Sequence, residues 1–96
     1  MEKIRIILTE QSIPKFPKGV RLKHDTKRNQ WVILAPERMF VLDDIGISVM
    51  QCLEEELTIN NVVNRLTDRF NAPRKEILKD VLEMLQDMAD KGVLTA

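Results

Sequence analysis

The stretch Gln30-Trp31-Val32-Ile33-Leu34-Ala35-Pro36-Glu37-Arg38-Met39-Phe40-Val41-Leu42-Asp43 decides the fold. Gln30 to Leu34 is strongly β-prone and apolar on both faces near its centre, the pattern of a middle strand. Ala35-Pro36-Glu37 interrupts it, and Pro36 suits the second position of a turn because its ring presets φ. Arg38 to Leu42 then resumes as a further strand. Upstream, Val20, Leu22 and His24 alternate with Arg21, Lys23 and Asp25, and Thr26-Lys27-Arg28-Asn29 is polar and turn-like. Two such tight connections predict an antiparallel three-stranded meander.

At Asp43 the period changes from two to 3.6. Asp43 is a good helix N-cap, since its carboxylate can accept a free amide hydrogen of the first turn. Ile45, Val49 and Leu53 follow at four-residue steps with Cys52 beside them, one apolar stripe on helix one. Gly46 costs that helix roughly 1 kcal/mol against alanine, and Glu54-Glu55-Glu56 ends it. Thr58 caps helix two, whose buried face is Ile59, Val62, Val63, Leu66 and Phe70. After the break at Asn71-Ala72, Pro73 is expected at the first position of helix three, where its missing N–H does no harm. That helix is predicted to run to about Lys91, with Gly92 as its left-handed cap. The expectation is an α+β domain, a three-stranded antiparallel meander followed by three helices, winged helix-turn-helix-like.

Two parts precede the first strand. Residues 1–13 form an N-terminal arm in which Ile4, Ile6 and Leu8 give a weak strand pattern. The arm is either frayed or an extra strand, able to pair with the third strand of the same or another molecule. In the second case its removal would tighten the binding of a competing guest, and a swapped arm would make a homodimer. Ile13-Pro14-Lys15-Phe16-Pro17-Lys18-Gly19 is a linker into the domain of residues 14–96.

Composition excludes several classes. With 96 residues, 44% hydrophobic and 31% charged, the chain is one globular domain. Residues 1–40 carry nine basic and four acidic side chains; residues 41–96 carry six and eleven. The acidic half also holds the longest helix, which argues against a nucleic-acid partner. Lone Cys52 allows no internal disulfide. No segment approaches the ~20 apolar residues of a membrane span. The start, Met1-Glu2-Lys3-Ile4-Arg5-Ile6-Ile7-Leu8, is too short and too interrupted by charge for a secretion signal. The expected compartment is cytoplasmic. No catalytic set is visible: His24 is the one histidine, Cys52 lies on an apolar stripe, and Gly19, Gly46 and Gly92 are isolated. Metal-ligand spacing is absent, and no cofactor is implied.

Helix three has more apolar surface than a small core needs. Ile77, Val81, Met84, Leu85 and Met88 form one stripe. Leu78, Leu82 and Ala89 widen it by roughly 60° on one flank. Such excess is covered either by a partner or by the chain's own linker or arm. A meander also leaves the third strand, Arg38 to Leu42, on an edge with unpaired amides and carbonyls. An extended peptide can add to such an edge and place alternate side chains in a neighbouring apolar groove.

Arg21-Leu22-Lys23-His24-Asp25, Arg28, Val32-Ile33-Leu34-Ala35-Pro36-Glu37-Arg38 and Leu42-Asp43 resemble the PqqD family. Ala72-Pro73 and Asp80-Val81 with Leu85 fit the same pattern. The likeness covers about residues 14 to 94, and Ala35-Pro36-Glu37-Arg38 is its most specific part. It implies a peptide chaperone of pyrroloquinoline quinone biosynthesis rather than an enzyme. Such a chaperone binds a ribosomal PqqA-like precursor and presents it to a PqqE-like radical S-adenosylmethionine enzyme. It is similar to the recognition domains of other peptide-modifying pathways, so another such pathway is an alternative. The likeness places the guest between the third strand and the third helix, at Arg38, Met39, Phe40, Val41 and Leu42 with Leu78, Leu82 and Gln86 across the groove. One departure is Glu54-Glu55-Glu56-Leu57, where many members have Asp-Gly after helix one. A winged-helix DNA-binding regulator is a further alternative. Against it, helix three offers Arg74, Lys75 and Lys79 but also Glu76, Asp80, Glu83, Asp87 and Asp90, which phosphates would repel.

Overall fold

In the computed structural model, which describes residues 5–96, the period-two half of the chain makes β1 (Arg21–Asp25), β2 (Gln30–Ala35) and β3 (Arg38–Val41). They form one antiparallel sheet in the order β1-β2-β3. The β1–β2 turn is held by Asp25, whose Oδ1 accepts from the N–H groups of Lys27 and Arg28 at 3.1 and 3.4 Å. The β2–β3 turn is two residues long, because Ala35 and Arg38 already pair. Pro36 fixes the first of the two, and Glu37 takes φ +60°, an uncommon value for a residue with a side chain.

The period-3.6 half makes α1 (Asp44–Glu54), α2 (Ile59–Phe70) and α3 (Arg74–Asp90). Asp43 caps α1, its Oδ1 accepting from Gly46 N–H at 2.7 Å. Such a cap contributes about 1 kcal/mol. Thr58 caps α2 through Asn61 N–H, and Asn71 ends it at φ +49°. At the end of α1 the left-handed residue is Glu56, φ +56°, a place that favours glycine. Pro73 differs from expectation by one position. It is the N-cap of α3 at ψ 132°, its carbonyl accepting from Glu76 and Ile77 N–H. Gly92, φ +79°, turns the chain off α3 so that Val93 and Leu94 enter the core. Thr95 then exchanges two backbone hydrogen bonds with Lys15, which ties the proline-rich linker to the C-terminal residues.

Ile33, at the centre of the middle strand, packs into one core with Val49, Met50, Ile59, Val63, Leu66 and Leu85. Helix one corrects the expected stripe: Ile45 is 45% exposed and Met50 is fully buried. Burial centres on Gly46, Val49, Met50 and Leu53. Gly46 has a packing reason. A Cβ there would lie 3.1 Å from Asp43 Oδ1 and 3.3 Å from Leu42 Cδ2, so glycine lets the cap and Leu42 close on the helix.

Among the described residues the arm does not pair with β3. It runs along α3 and the start of α2. Gln86 grips it as a neighbouring strand would: its Oε1 accepts from Leu8 N–H at 2.9 Å, and its Nε2 donates to the Ile6 carbonyl at 2.6 Å. Asn60 and Ile59 N–H donate to the carbonyls of Glu10 and Ser12. Arg74 bonds Glu10, and Arg5 bonds Asp90. Leu8 is buried, and Ile6 packs on the core. Ile4 lies outside the described residues.

Candidate peptide-binding groove

The geometry of β3 follows from one bond. Leu42 N–H donates to the Trp31 carbonyl at 2.9 Å, in register with the pairing of Val41 to Val32 and of Phe40 to Ile33. In an antiparallel ladder, bonded and non-bonded pairs alternate. Leu42, Phe40 and Arg38 therefore turn their main-chain groups toward β2. Met39 and Val41 turn theirs outward, to an edge that pairs with no strand among the described residues. The N–H and C=O of these two residues are the ones available to a guest strand.

Beside that edge lies an apolar groove of about 290 Å³. Phe40 and Leu42 form one wall with Val41 at its rim, Met84 and Met88 form the other, and Ile33 and Gly46 contribute to its lining. Arg38, at the start of β3, bonds the Lys91 carbonyl at 2.7 Å. Arg38 thus fastens β3 to the C-terminal end of α3, its guanidinium 5.8 Å from the centre of the Phe40 ring. Methionine suits the helical wall because its unbranched, polarizable chain adapts to different guests.

Of the residues expected at the site, the structure brings Phe40, Val41 and Leu42 to the groove and leaves Met39 exposed on the strand. It does not bring Leu78, Leu82 or Gln86 there. Leu82 and Gln86 line a cleft of about 430 Å³ with Arg5 and Leu8 on another flank of α3, and Leu78 packs against the core. The reason is helical: two residues apart means about 200° around the axis, so Leu82 and Met84 cannot share a face. The apolar excess on that flank is covered by the chain's own arm. The groove residues that sequence reasoning missed are Met84 and Met88, which fell inside the stripe assigned to the core.

The remaining reactive groups are accounted for. Cys52 is buried, and burial pushes its thiol up, away from the reactive thiolate. The His24 ring packs on Trp31 across the strands, centroids 4.9 Å apart. No group of three His, Cys, Asp or Glu side chains able to hold a metal occurs among the described residues.

The arm clip contains an ion pair, Arg5 with Asp90, that acid can weaken. Hydrogen bonds from Arg5 and then Gln86 hold the Asp90 carboxyl below its ordinary range. A carboxyl lowered by folding stabilises the folded arrangement above its unfolded pKa, and that contribution is lost as pH falls through the folded value. Acidification is therefore expected to loosen the hold on residues 5–8 at its Arg5 end, while buried Leu8 keeps its place on α3. Exchange of the Arg5 Nε–H measured across a pH series checks this: protection should fall at acid pH once the intrinsic rate is divided out, and Asp90→Asn should remove the dependence.

A meander whose β3 edge borders an apolar helical groove, backed by three helices, has the form of a peptide-recognition domain. Comparison with known proteins places the chain within that class. The family model described as Coenzyme PQQ synthesis protein D (PqqD) matches residues 30–94, and the chain belongs to the PqqD family. It is 46% identical over 90 residues to a PqqA binding protein of Bradyrhizobium diazoefficiens, covering 94% of this chain and 87% of that one. A PqqA binding protein of Gluconobacter oxydans is 33% identical, with 92% of each chain covered. Among solved structures it is similar to the PqqD truncation of Methylobacterium extorquens PqqCD, a stand-alone RiPP recognition element determined by NMR. There the TM-score is 0.79 at 36% identity, with 93% of this chain and 95% of that one covered. The crystal structure of PqqD from Xanthomonas campestris gives 0.58 at 37% identity, with coverage of 93% and 99%.

Proposed function

We propose that this chain binds a PqqA-like precursor peptide as a fourth strand on β3 and presents it to a PqqE-like radical S-adenosylmethionine enzyme, without catalysing a reaction itself. The observation that carries this reading is the outward-facing main chain of Met39 and Val41 beside the Met84–Met88 groove. Main-chain pairing supplies affinity, about 0.5–1.5 kcal/mol net for each hydrogen bond. Alternate guest side chains reach the groove and supply selectivity. Relatives of nearly the same length are named for binding PqqA, which supports this cargo. No helix among the described residues is long and apolar enough to cross a membrane, in keeping with cargo taken up in the cytoplasm.

Calorimetry and amide NMR against a PqqA-like precursor peptide test the reading. Saturable binding is expected, with the amides of Met39 and Val41 gaining exchange protection. The Phe40 amide, already bonded to β2, should gain much less. Binding that leaves Met39 and Val41 unprotected would reject the strand slot.

A further inference from the structure

We propose that the outer face of the sheet, turned away from the helices, docks the modifying enzyme through an apolar patch with acidic flanks on that enzyme. This rests on the function proposed above and adds the surface that would join the two proteins.

Alternation along the strands sorts the side chains. Ile33, Leu22 and Phe40 face the helices. Val32, Leu34, Met39 and Val41, in register with one another across β2 and β3, face the other way. That outer face is apolar where it meets the open edge, with Val41 59% and Met39 47% exposed. Val32 is only 1% exposed yet stands apart from the main core. Its cross-strand partners Lys23 and Val41 flank it, and a lysine stem can cover an apolar neighbour while its ammonium stays in water. Leu34 divides two shallow concavities of about 300 and 480 Å³. Together with the exposed β3 side chains they make a patch with relief, the usual form of a protein contact.

Charge selects the occupant. Arg21 and Lys23 stand on this face of β1, and Lys27 follows in the turn. None of the three makes an ion pair among the described residues, whose ion pairs use Arg5, Arg65, Arg74 and Lys91 instead. The acid of this face, Asp25, spends its Oδ1 on the turn amides of Lys27 and Arg28. An acidic rim on a partner therefore finds unpaired cations around an apolar centre, the arrangement that steers and orients protein association. A nucleic-acid backbone fits less well, since the centre of the face is apolar.

Position gives the docking a purpose. A guest strand on β3 would lie about 5 Å further along the same sheet. Its outward side chains would continue the row of Met39 and Val41. An enzyme seated on the outer face would then touch the cargo directly, on the side not already enclosed by the groove.

Two variants on β1 and β2, away from the guest slot, test this: Lys23→Glu and Leu34→Gln. Lys23 is exposed, so its reversal removes only the stem beside Val32 and no contact of the main core, and melting curves for both variants verify the fold. Affinity for a PqqE-like radical S-adenosylmethionine enzyme is measured by calorimetry, and precursor-peptide affinity is measured separately. Enzyme affinity is expected to fall at least tenfold in Lys23→Glu and to weaken with added salt in the unmutated chain. Peptide affinity should be unchanged in both variants. The proposal is overturned if the variants hold the enzyme as tightly as the unmutated chain does, or if the unmutated chain does not bind it. It is also overturned if sedimentation shows a dimer that Leu34→Gln abolishes, because a second copy would then occupy the face. Loss of peptide binding by the unmutated chain would instead defeat the cargo reading.

Discussion

Val41→Pro is expected to lower affinity for the precursor peptide by at least tenfold while the domain stays folded. Proline lacks an N–H, and in a central strand it breaks the ladder. Here the ladder to β2 runs through Phe40 and Leu42, so the N–H removed from Val41 is one that only a guest would use. The residue before proline is pushed toward extended backbone, which Phe40 already adopts. A guest strand loses a hydrogen bond and is left with an unpaired carbonyl against a proline ring. An unsatisfied buried acceptor costs about 1–3 kcal/mol, and 1.4 kcal/mol is a factor of ten. Phe40→Pro is the contrast: it deletes a ladder donor within the sheet and should unfold the domain. Calorimetry with melting curves for both variants separates the two effects. Val41→Pro binding with full affinity would mean the peptide does not add to β3.

Leu85→Ala is expected to destabilise the domain by about 2–5 kcal/mol, the range for truncating a buried leucine. Leu85 is fully buried at the middle of α3. Such a loss is a large share of the ~5–15 kcal/mol that holds a typical domain together. At about 4–8 °C per kcal/mol for a chain of this size, melting should fall by about 8–40 °C. The function should suffer too, because Met84 and Met88 stand on the same helix and a loosened α3 widens the groove. Leu85→Met, nearly volume-conserving, should cost under about 1.5 kcal/mol. Calorimetric melting of the two variants checks the ranking. A change below about 1 kcal/mol in Leu85→Ala would contradict the packing described for α3.

Much of the architecture was legible from local chemistry. Asp43 and Thr58 marked helix starts because their side chains can accept N-terminal amide hydrogens, and both do so. Pro36 marked the hairpin, and Gly92 the end of α3. The open third strand followed from a meander with two short turns. Ile45 was misplaced because a stripe at four-residue steps says which residues share a face, not which part of that face a neighbour covers. Leu82 and Gln86 were misplaced for a related reason. The width of the α3 stripe was correct, but its two margins meet different neighbours, β3 at Met84 and the arm at Leu82.

By itself, then, the order of residues determined the strands, the helices, their caps and the backbone groups of β3 left without a mate, because period, turn residues and capping act within a few positions of the chain. Only the tertiary structure decided which flank of α3 walls the groove and which receives the arm. That choice rests on contacts between residues some eighty positions apart, such as Gln86 with Ile6 and Leu8. Both margins of the helix are apolar, so composition could not rank them; the neighbours each margin meets in the folded chain did.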